Sequence, residues 1–135
     1  MSLQEIKDET KEAEGNPLLK AFRRSLALNR SRKRMMSAVP SATMILTNPT
    51  HFSVALRYDR KTDPAPVVVA KGQDIIAARI KQIAFENKIP IIENKQLARS
   101  IYKHVSVDQV IPTHFYQAVA EIILFIQKRS RNTIL

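Results

Sequence analysis

The sequence has 135 residues, a length that suits one domain with a substantial hydrophobic core. It contains no cysteine, which excludes a disulfide framework, a thiolate metal site and a cysteine nucleophile, and only 2 glycines, which excludes a glycine-rich phosphate loop. The formal net charge is +10, and no stretch approaches the ~20 apolar residues that a membrane helix requires, so the chain as given is expected to be soluble.

The N-terminal part of the chain divides by charge. Residues 1–14 contain five acidic side chains, whereas residues 18–34 contain seven basic side chains and no acidic one. The turn-type cluster Gly15-Asn16-Pro17 separates the two segments. Beyond it, apolar residues recur at helical spacing and predict an amphipathic basic helix that ends near Met36: Leu18 or Leu19, Phe22 and Leu26.

The basic helix has three possible roles. A solvated helix face is the default interpretation. A segment close to an anionic membrane surface is the second, because each base near such a surface gains ~1 kcal/mol. A nucleic-acid patch is the third, since no recognised binding motif accompanies the charge and the few aromatic residues are not interleaved with it.

Strand patterns follow the predicted helix stop at residues 39–42. Residues 43–46 form an apolar run, and residues 52–58 alternate apolar and polar side chains, so each predicts a strand. Residues 59–66 contain two prolines and predict an exposed loop. Residues 67–70 predict a short strand that is buried on both faces.

The C-terminal half alternates helix and strand patterns. Gly72 and Asp74 can start a helix that Asn87 and Pro90 stop, and residues 89–92 predict a further strand. The order strand, helix, strand predicts a parallel crossover. A shorter helix is expected to end near residue 104, and a last helix is expected to run from Pro112 to about residue 128.

These patterns predict an α/β fold. We expect a small central, mostly parallel four-stranded sheet surrounded by about four helices, with the basic helix at the N-terminus. Three segments follow: a linker and basic helix at residues 1–38, a compact domain at residues 39–130 and a frayed tail at residues 131–135.

The segment from Thr47 to His51 lies between the first two predicted strands and contains a dipeptide that can break its own backbone. Pro49 has no amide N–H, so it cannot attack the side chain of Asn48 in the usual deamidation route. The side-chain nitrogen of Asn48 can instead attack the main-chain carbonyl of Asn48, close a succinimide ring and expel the nitrogen of Pro49. A carboxamide is a weak nucleophile, so the turn must hold it in a near-attack pose.

His51 and Thr50 are candidate helpers in this reaction. A neutral imidazole near pH 7 can take a proton from the carboxamide or give one to the departing nitrogen, and the hydroxyl of Thr50 can orient either group. Taken alone, the motif is also compatible with an ordinary turn between strands. A conventional hydrolase with His51 as its base is a weaker interpretation, because the sequence places no Ser or Asp partner.

A second Pro-Thr-His segment, at residues 112–114, lacks the preceding asparagine and is therefore expected to start a helix and not to cleave. His104 and His114 have no carboxylate or histidine at ligand spacing within their own helices, so no metal site is predicted. No cofactor is predicted either.

The chain resembles the FlhB/YscU family of type III secretion switch proteins. The resemblance rests on segments that lie in order over about nine tenths of the chain: residues 35–40, 48–56, 67–72, 97–102, 111–112 and 118–122. The Val-Ala-Lys-Gly segment at residues 69–72 looks more like the flagellar branch than the virulence branch.

The resemblance implies a cytoplasmic domain that follows four transmembrane helices absent from this sequence and faces the bacterial cytoplasm at the inner membrane. It implies a single-turnover self-cleavage between Asn48 and Pro49, with Thr50 and His51 in the same motif, and no turnover enzyme activity. The two fragments are expected to stay associated.

The resemblance also implies partners and a role. The partners are other export-apparatus components, exported flagellar substrates or their chaperones, and a hook-length control protein. The role is a switch in exported substrate class, from rod and hook components to filament components. The alternative is a nucleic-acid or anionic-surface binding module that is not cleaved; nucleic acid is not expected as a partner under the main interpretation.

Overall fold

The computed structural model describes residues 15–134. These residues belong to two compact units, one that extends to Arg34 and one that starts at Met35. The acidic segment at residues 1–14 lies outside the described residues, and the proposed segment boundaries at residues 38 and 130 stay predictions. No helix in the described range is long and apolar enough to cross a membrane.

The predicted basic helix is confirmed as α1, Pro17–Ala38. Asn16 caps its start: the N–H of Leu18 donates to Asn16 Oδ1 at 2.9 Å, and Pro17 occupies the first turn, where its missing N–H leaves no intrahelical bond unmade. The helix ends two residues later than predicted and passes into a 3₁₀ turn, Val39–Ser41, at Pro40.

Within residues 15–134, four strands form one sheet: β1, Met44–Asn48; β2, Phe52–Arg57; β3, Val67–Gln73; and β4, Ile91–Glu93. Their order across the sheet is β3-β2-β1-β4. The β1/β2 and β2/β3 pairs are antiparallel, and the β1/β4 pair is parallel. The predicted number of strands is confirmed.

The prediction of a mostly parallel sheet is wrong. Asn48 pairs directly with Phe52, so only a tight turn separates β1 from β2, and a connection this short can join only antiparallel strands. The crossover from β3 to β4 does connect strands that run in the same direction. It places them at opposite edges of the sheet, however, with β1 and β2 between them.

In the part of the chain that the structure describes, three further helices cover the sheet: α2, Ile75–Glu86; α3, Lys95–His104; and α4, Tyr116–Ile134. Gly72 is part of β3 and does not start α2, and a 3₁₀ turn, Thr113–Phe115, precedes α4. Helix α4 continues past its predicted end near residue 128, because no proline or glycine follows to interrupt it.

The core consists of two clusters, one on each face of the sheet. On one face, side chains of β1 and β2 pack with α3 and α4 through residues such as Leu46, Val54 and Ile101. On the other face, Ile45 and Ala55 pack with α2. The turn between β1 and β2 therefore begins and ends on the two central strands, both of which are buried on their two faces.

The loop between β2 and β3 is fixed by a buried carboxylate. Arg57 donates two hydrogen bonds to Asp63, at 3.1 and 3.0 Å, and the N–H of Asp59 donates to Asp63 at 2.9 Å. The hydrogen bond from Arg57 makes the largest contribution to lowering the pKa of Asp63, and the hydrogen bond from the N–H of Asp59 makes the second largest.

The outer edge of β3 is paired with the chain before α4 through an antiparallel bridge between Val67 and Val110.

Candidate functional site: the turn between the central strands

The predicted reactive segment is a tight turn at one end of the sheet. Asn48 is the last residue of β1 and Phe52 is the first residue of β2. The N–H of His51 donates to the carbonyl oxygen of Asn48 at 2.9 Å, the hydrogen bond that closes a four-residue β-turn. Pro49 occupies the second position of this turn, which its fixed φ favours. The structure thus brings all four predicted site residues into one turn.

This hydrogen bond lies on the carbonyl that the predicted reaction attacks. When a nucleophile adds to the carbonyl carbon of Asn48, negative charge develops on the carbonyl oxygen of Asn48. The His51 N–H already points at that oxygen, in the manner of a single oxyanion-hole donor. For the predicted reaction, the backbone N–H of His51 is thus a candidate donor that sequence reasoning, which considered only its imidazole, did not find.

The side chains of the site residues are less organised than the backbone. Thr50 and His51 are exposed, and Asn48 is partly buried. Within residues 15–134, no hydrogen bond joins the side chains of Asn48, Thr50 and His51 to one another. The His51 ring lies beside Phe52, with 6.2 Å between ring centroids. The structure thus does not place the imidazole on the carboxamide of Asn48.

Two buried hydroxyl groups support the turn on the face that packs against α2. The hydroxyl of Thr47 donates to the carbonyl of Phe52 at 3.1 Å, and the hydroxyl of Ser53 donates to the carbonyl of Ala77 at 3.1 Å. The two hydroxyl oxygens are 3.4 Å apart. The sequence signal that could have identified Thr47 and Ser53 is that both are polar residues within otherwise apolar strand patterns.

Helix α2 and Asp74, the residue that precedes it, make two more contacts with the turn. The N–H of Asp74 donates to the carbonyl of His51 at 3.0 Å, and Lys81 Nζ donates to the carbonyl of Pro49 at 3.0 Å. Asp74 has φ of 52°, a backbone conformation that residues other than glycine rarely adopt. The hydrogen bond of its N–H to His51 helps to hold this strained conformation.

An aromatic contact anchors the other side of the turn. The rings of Phe52 and Tyr102 lie 4.6 Å apart between centroids, which ties the start of β2 to α3. Lys71 Nζ donates to the carbonyl of Tyr102 at 2.8 Å and lies 5.1 Å from the centroid of its ring. Burial lowers the pKa of Lys71.

The second Pro-Thr-His segment is structural. Thr113, His114 and Phe115 form the 3₁₀ turn before α4, and Phe115 is buried in the core. The position that corresponds to Asn48 is the buried Ile111, which has no nucleophile. The prediction that the last helix starts at Pro112 is wrong, because Pro112 is extended and α4 begins at Tyr116, after the 3₁₀ turn.

Comparison with known proteins identifies relatives over nearly the whole chain. A family model described as the FlhB HrpN YscU SpaS Family matches residues 1–126. The flagellar biosynthetic protein FlhB of Helicobacter pylori is 48% identical over 128 residues, which are 95% of this chain and 36% of the relative. FlhB of Bacillus subtilis is 43% identical over 132 residues, which are 98% of this chain and 37% of the relative. The chain thus spans about a third of the length of these relatives.

Solved structures share the fold. The crystal structure of the cytoplasmic domain of FlhB from Shewanella putrefaciens is 38% identical, with a TM-score of 0.73 over 76% of this chain and 78% of that chain. A mutated EscU C-terminal domain is 34% identical, with a TM-score of 0.65 over 67% of this chain and 90% of that chain.

The substitutions in the EscU structures have a spacing that matches the turn. These domains were solved with an asparagine changed to alanine or aspartate, with the next residue, a proline, changed to alanine, and with a histidine three positions after the asparagine changed to alanine. Asn48, Pro49 and His51 have the same residue types at the same spacing.

Proposed function

Because this chain belongs to the FlhB HrpN YscU SpaS family, we propose that it is the cytoplasmic domain of a flagellar-type export-apparatus component that cuts itself between Asn48 and Pro49. The observation that supports this proposal most directly is the turn itself. It holds the Asn48 carbonyl against the N–H of His51 and puts a residue without an N–H directly after it. The His51 N–H can stabilise the charge that intramolecular attack places on the carbonyl oxygen, and the competing attack by the next amide nitrogen is blocked.

The reaction needs no external reactant. Asn48 Nδ2 forms a bond to the carbonyl carbon of Asn48 and loses a proton, while the carbonyl oxygen takes up negative charge beside the His51 N–H. The tetrahedral intermediate then collapses, the bond from the Asn48 carbon to the Pro49 nitrogen breaks, and the proton goes to that nitrogen. The products are a C-terminal succinimide, which water later opens, and a new N-terminal proline.

One cut at this position leaves the fold intact. Strand β1 lies between β2 and β4 and keeps its pairing with both, because the broken bond is in the turn and outside the ladder. The fragment that ends at Asn48 also keeps its buried side chains, Met44 to Leu46, in the two core clusters. The fragments therefore stay associated, and the domain acts once and not as a turnover enzyme.

The proposed role is a switch in the class of exported protein. Cutting the turn creates two new termini on the surface, which changes the shape and charge of this end of the sheet. Export-apparatus components, flagellar substrates or their chaperones, and a hook-length control protein are the proposed partners at the cytoplasmic face of the inner membrane. Relatives named as flagellar biosynthetic proteins support the flagellar assignment.

The test is a denaturing gel of the purified chain beside two variants. We expect the wild type to give two fragments that meet at Asn48 and Pro49, and Asn48→Ala to run as one chain because it has no nucleophile. Asn29→Ala, which removes a carboxamide from α1, is the matched control and should give the same two fragments as the wild type. An intact wild-type chain would refute self-cleavage.

A second candidate function, binding to an anionic membrane surface, rests on helix α1. None of its residues is buried, and apolar side chains are exposed along the same helix as the seven bases: Leu18 at 80%, Phe22 at 60% and Leu28 at 51%. Exposed apolar groups beside basic ones favour an anionic lipid surface over nucleic acid. Co-sedimentation with anionic but not with neutral lipid vesicles is the expected result; salt-sensitive retention on duplex DNA alone would favour nucleic acid instead.

A further inference from the structure

The side chain of Lys81 contacts the turn at Asn48 to His51, and the steps of the proposed reaction given above do not involve this contact. Lys81 lies in α2, 32 residues after Pro49 in the sequence, and its ammonium group donates to the carbonyl oxygen of Pro49 at 3.0 Å. In the part of the chain that the structure describes, no carboxylate pairs with Lys81. Its ammonium group therefore interacts with the turn and is not occupied by an ion pair.

Together with His51, Lys81 fixes the peptide units on both sides of the Pro49 nitrogen. The carbonyl of Asn48 accepts from the His51 N–H, and the carbonyl of Pro49 accepts from Lys81 Nζ. The ring of Pro49 already sets its φ, so a held carbonyl fixes the remaining backbone torsion of that residue. The backbone on both sides of the bond that breaks is thereby held by hydrogen bonds.

From this contact we infer that Lys81 is a positioning residue of the self-cleavage. The inference rests on the proposed function, because it concerns the rate of the same reaction. The ammonium group contacts the peptide unit next to the one whose oxygen takes up negative charge, and a positive charge held beside the turn stabilises that charge more than the neutral ground state. Lys81 gains and loses no proton; the proton released by Asn48 Nδ2 goes to the Pro49 nitrogen.

Lys81 is expected to contribute less to folding stability than to the rate of cleavage. It is partly buried on the surface of α2, and its apolar stem does not belong to either core cluster. A hydrogen bond at the surface adds little to folding stability, because water replaces it in the unfolded chain. Loss of the ammonium group is therefore expected to change the rate of cleavage more than the stability of the domain.

The test follows cleavage in the newly synthesised full chain. Wild type, Lys81→Met, Lys81→Gln and Lys81→Arg are made by cell-free translation, and the appearance of the two fragments is followed on denaturing gels. We expect Lys81→Met and Lys81→Gln to cleave about 10-fold more slowly, and Lys81→Arg to keep most of the rate because it keeps the charge and the donor. Added salt should slow the wild type and leave Lys81→Met unchanged, a dependence that a purely structural role would not produce.

The matched control is Lys95→Met, which removes an exposed lysine from the first turn of α3. It should cleave at the wild-type rate, and the thermal midpoints of all variants should agree. Wild-type cleavage rates in both neutral variants would overturn the role of Lys81 and leave the proposed function standing. An uncut wild type in the same time course would instead refute self-cleavage itself. A Lys81→Arg rate as low as that of Lys81→Met would also contradict the inference.

Discussion

At the level of single residues, the backbone and the side chain of His51 have different contacts: the backbone contacts Asn48 and the ring lies beside Phe52. Its N–H lies 2.9 Å from the carbonyl oxygen of Asn48, whereas its ring is exposed beside Phe52. Any residue except proline at position 51 would therefore keep the backbone N–H that donates to the carbonyl oxygen of Asn48. The imidazole has to turn toward the carboxamide or the leaving nitrogen if it moves a proton in the reaction.

Replacement of His51 by alanine separates these two contributions. His51→Ala keeps the N–H and removes the imidazole, so we expect cleavage to slow on the order of 10²-fold without being abolished. The measurement is the fragment time course in newly made protein, with His114→Ala as the matched histidine control. An unchanged rate in His51→Ala would remove the imidazole from the mechanism and leave the backbone N–H as its only contribution.

The residues of the proposed reaction could be named from the sequence because they are contiguous. Asn48, Pro49, Thr50 and His51 meet through local chain geometry, and a proline after an asparagine restricts the chemistry before any tertiary contact forms. Lys81 and Ala77 could not be predicted, because their contacts with the turn depend on where α2 packs against the sheet. Only the folded arrangement brings these distant residues to the turn.

At the level of elements, the position of α2 is set by how closely it approaches β3. A Cβ added to Gly72 would clash with the side chain of Ile76 in the first turn of α2. The absence of a side chain at Gly72 therefore lets the helix begin directly after the strand. The same first turn contains Ala77, which accepts from Ser53, and follows Asp74, which donates to His51.

Gly72→Ala is expected to push the start of α2 away from β3. Overpacking of this kind destabilises a domain by about 1–3 kcal/mol, and we expect slower cleavage as well, because the contacts of α2 with the turn move with the helix. The measurements are the free energy of unfolding by urea and the fragment time course. Gly15→Ala is the control, since an added Cβ there meets nothing within 4 Å and should change neither quantity. Equal behaviour of the two variants would contradict the proposed dependence on α2.

The interaction between Arg57 and Asp63 in the loop between β2 and β3 makes the folding stability of the domain depend on pH in the acid range. The hydrogen bond from Arg57 lowers the pKa of Asp63 in the folded state below its usual value near 3.9. A lowered pKa in the folded state means that ionised Asp63 adds stability above pH ~4, and that this stability is lost as the pH falls through the folded-state pKa.

In the wild type, we expect the thermal midpoint of unfolding to decrease as the pH is lowered below ~4. Asp63→Asn should have a lower midpoint at neutral pH and a weaker dependence on acid, because it has no proton to take up. Glu93→Gln, a change at an exposed carboxylate at the end of β4, serves as the control. If Asp63→Asn kept the full acid dependence of the wild type, the ion pair with Arg57 would not be its source.

The elements themselves were predicted with mixed success, for physical reasons. Periodicity located all four strands and the helices, because each has an apolar face that must be buried. The pairing of the strands was mispredicted, since the rule for a parallel crossover gives the relative direction of β3 and β4 but not which strands lie between them. The tight turn at Asn48 to His51 was the local signal for an antiparallel β1/β2 pair.

At the level of the whole molecule, the proposed function requires a domain that survives a break in its own backbone. The turn lies at the end of the two central strands, and buried side chains of both strands contact helices on the two faces of the sheet. A cut there removes a covalent link and one turn hydrogen bond but leaves the sheet ladder and the core in place. The domain can therefore be altered chemically at its surface without unfolding.

The most direct test of this account is the mass of the purified wild-type chain measured under native and denaturing conditions. The account predicts one folded species under native conditions and two polypeptides under denaturing conditions, one that ends at Asn48 and one that begins at Pro49. Asn48→Ala should give a single polypeptide under both conditions. A wild-type chain that stays full length after denaturation, or a cut at any other bond, would contradict it.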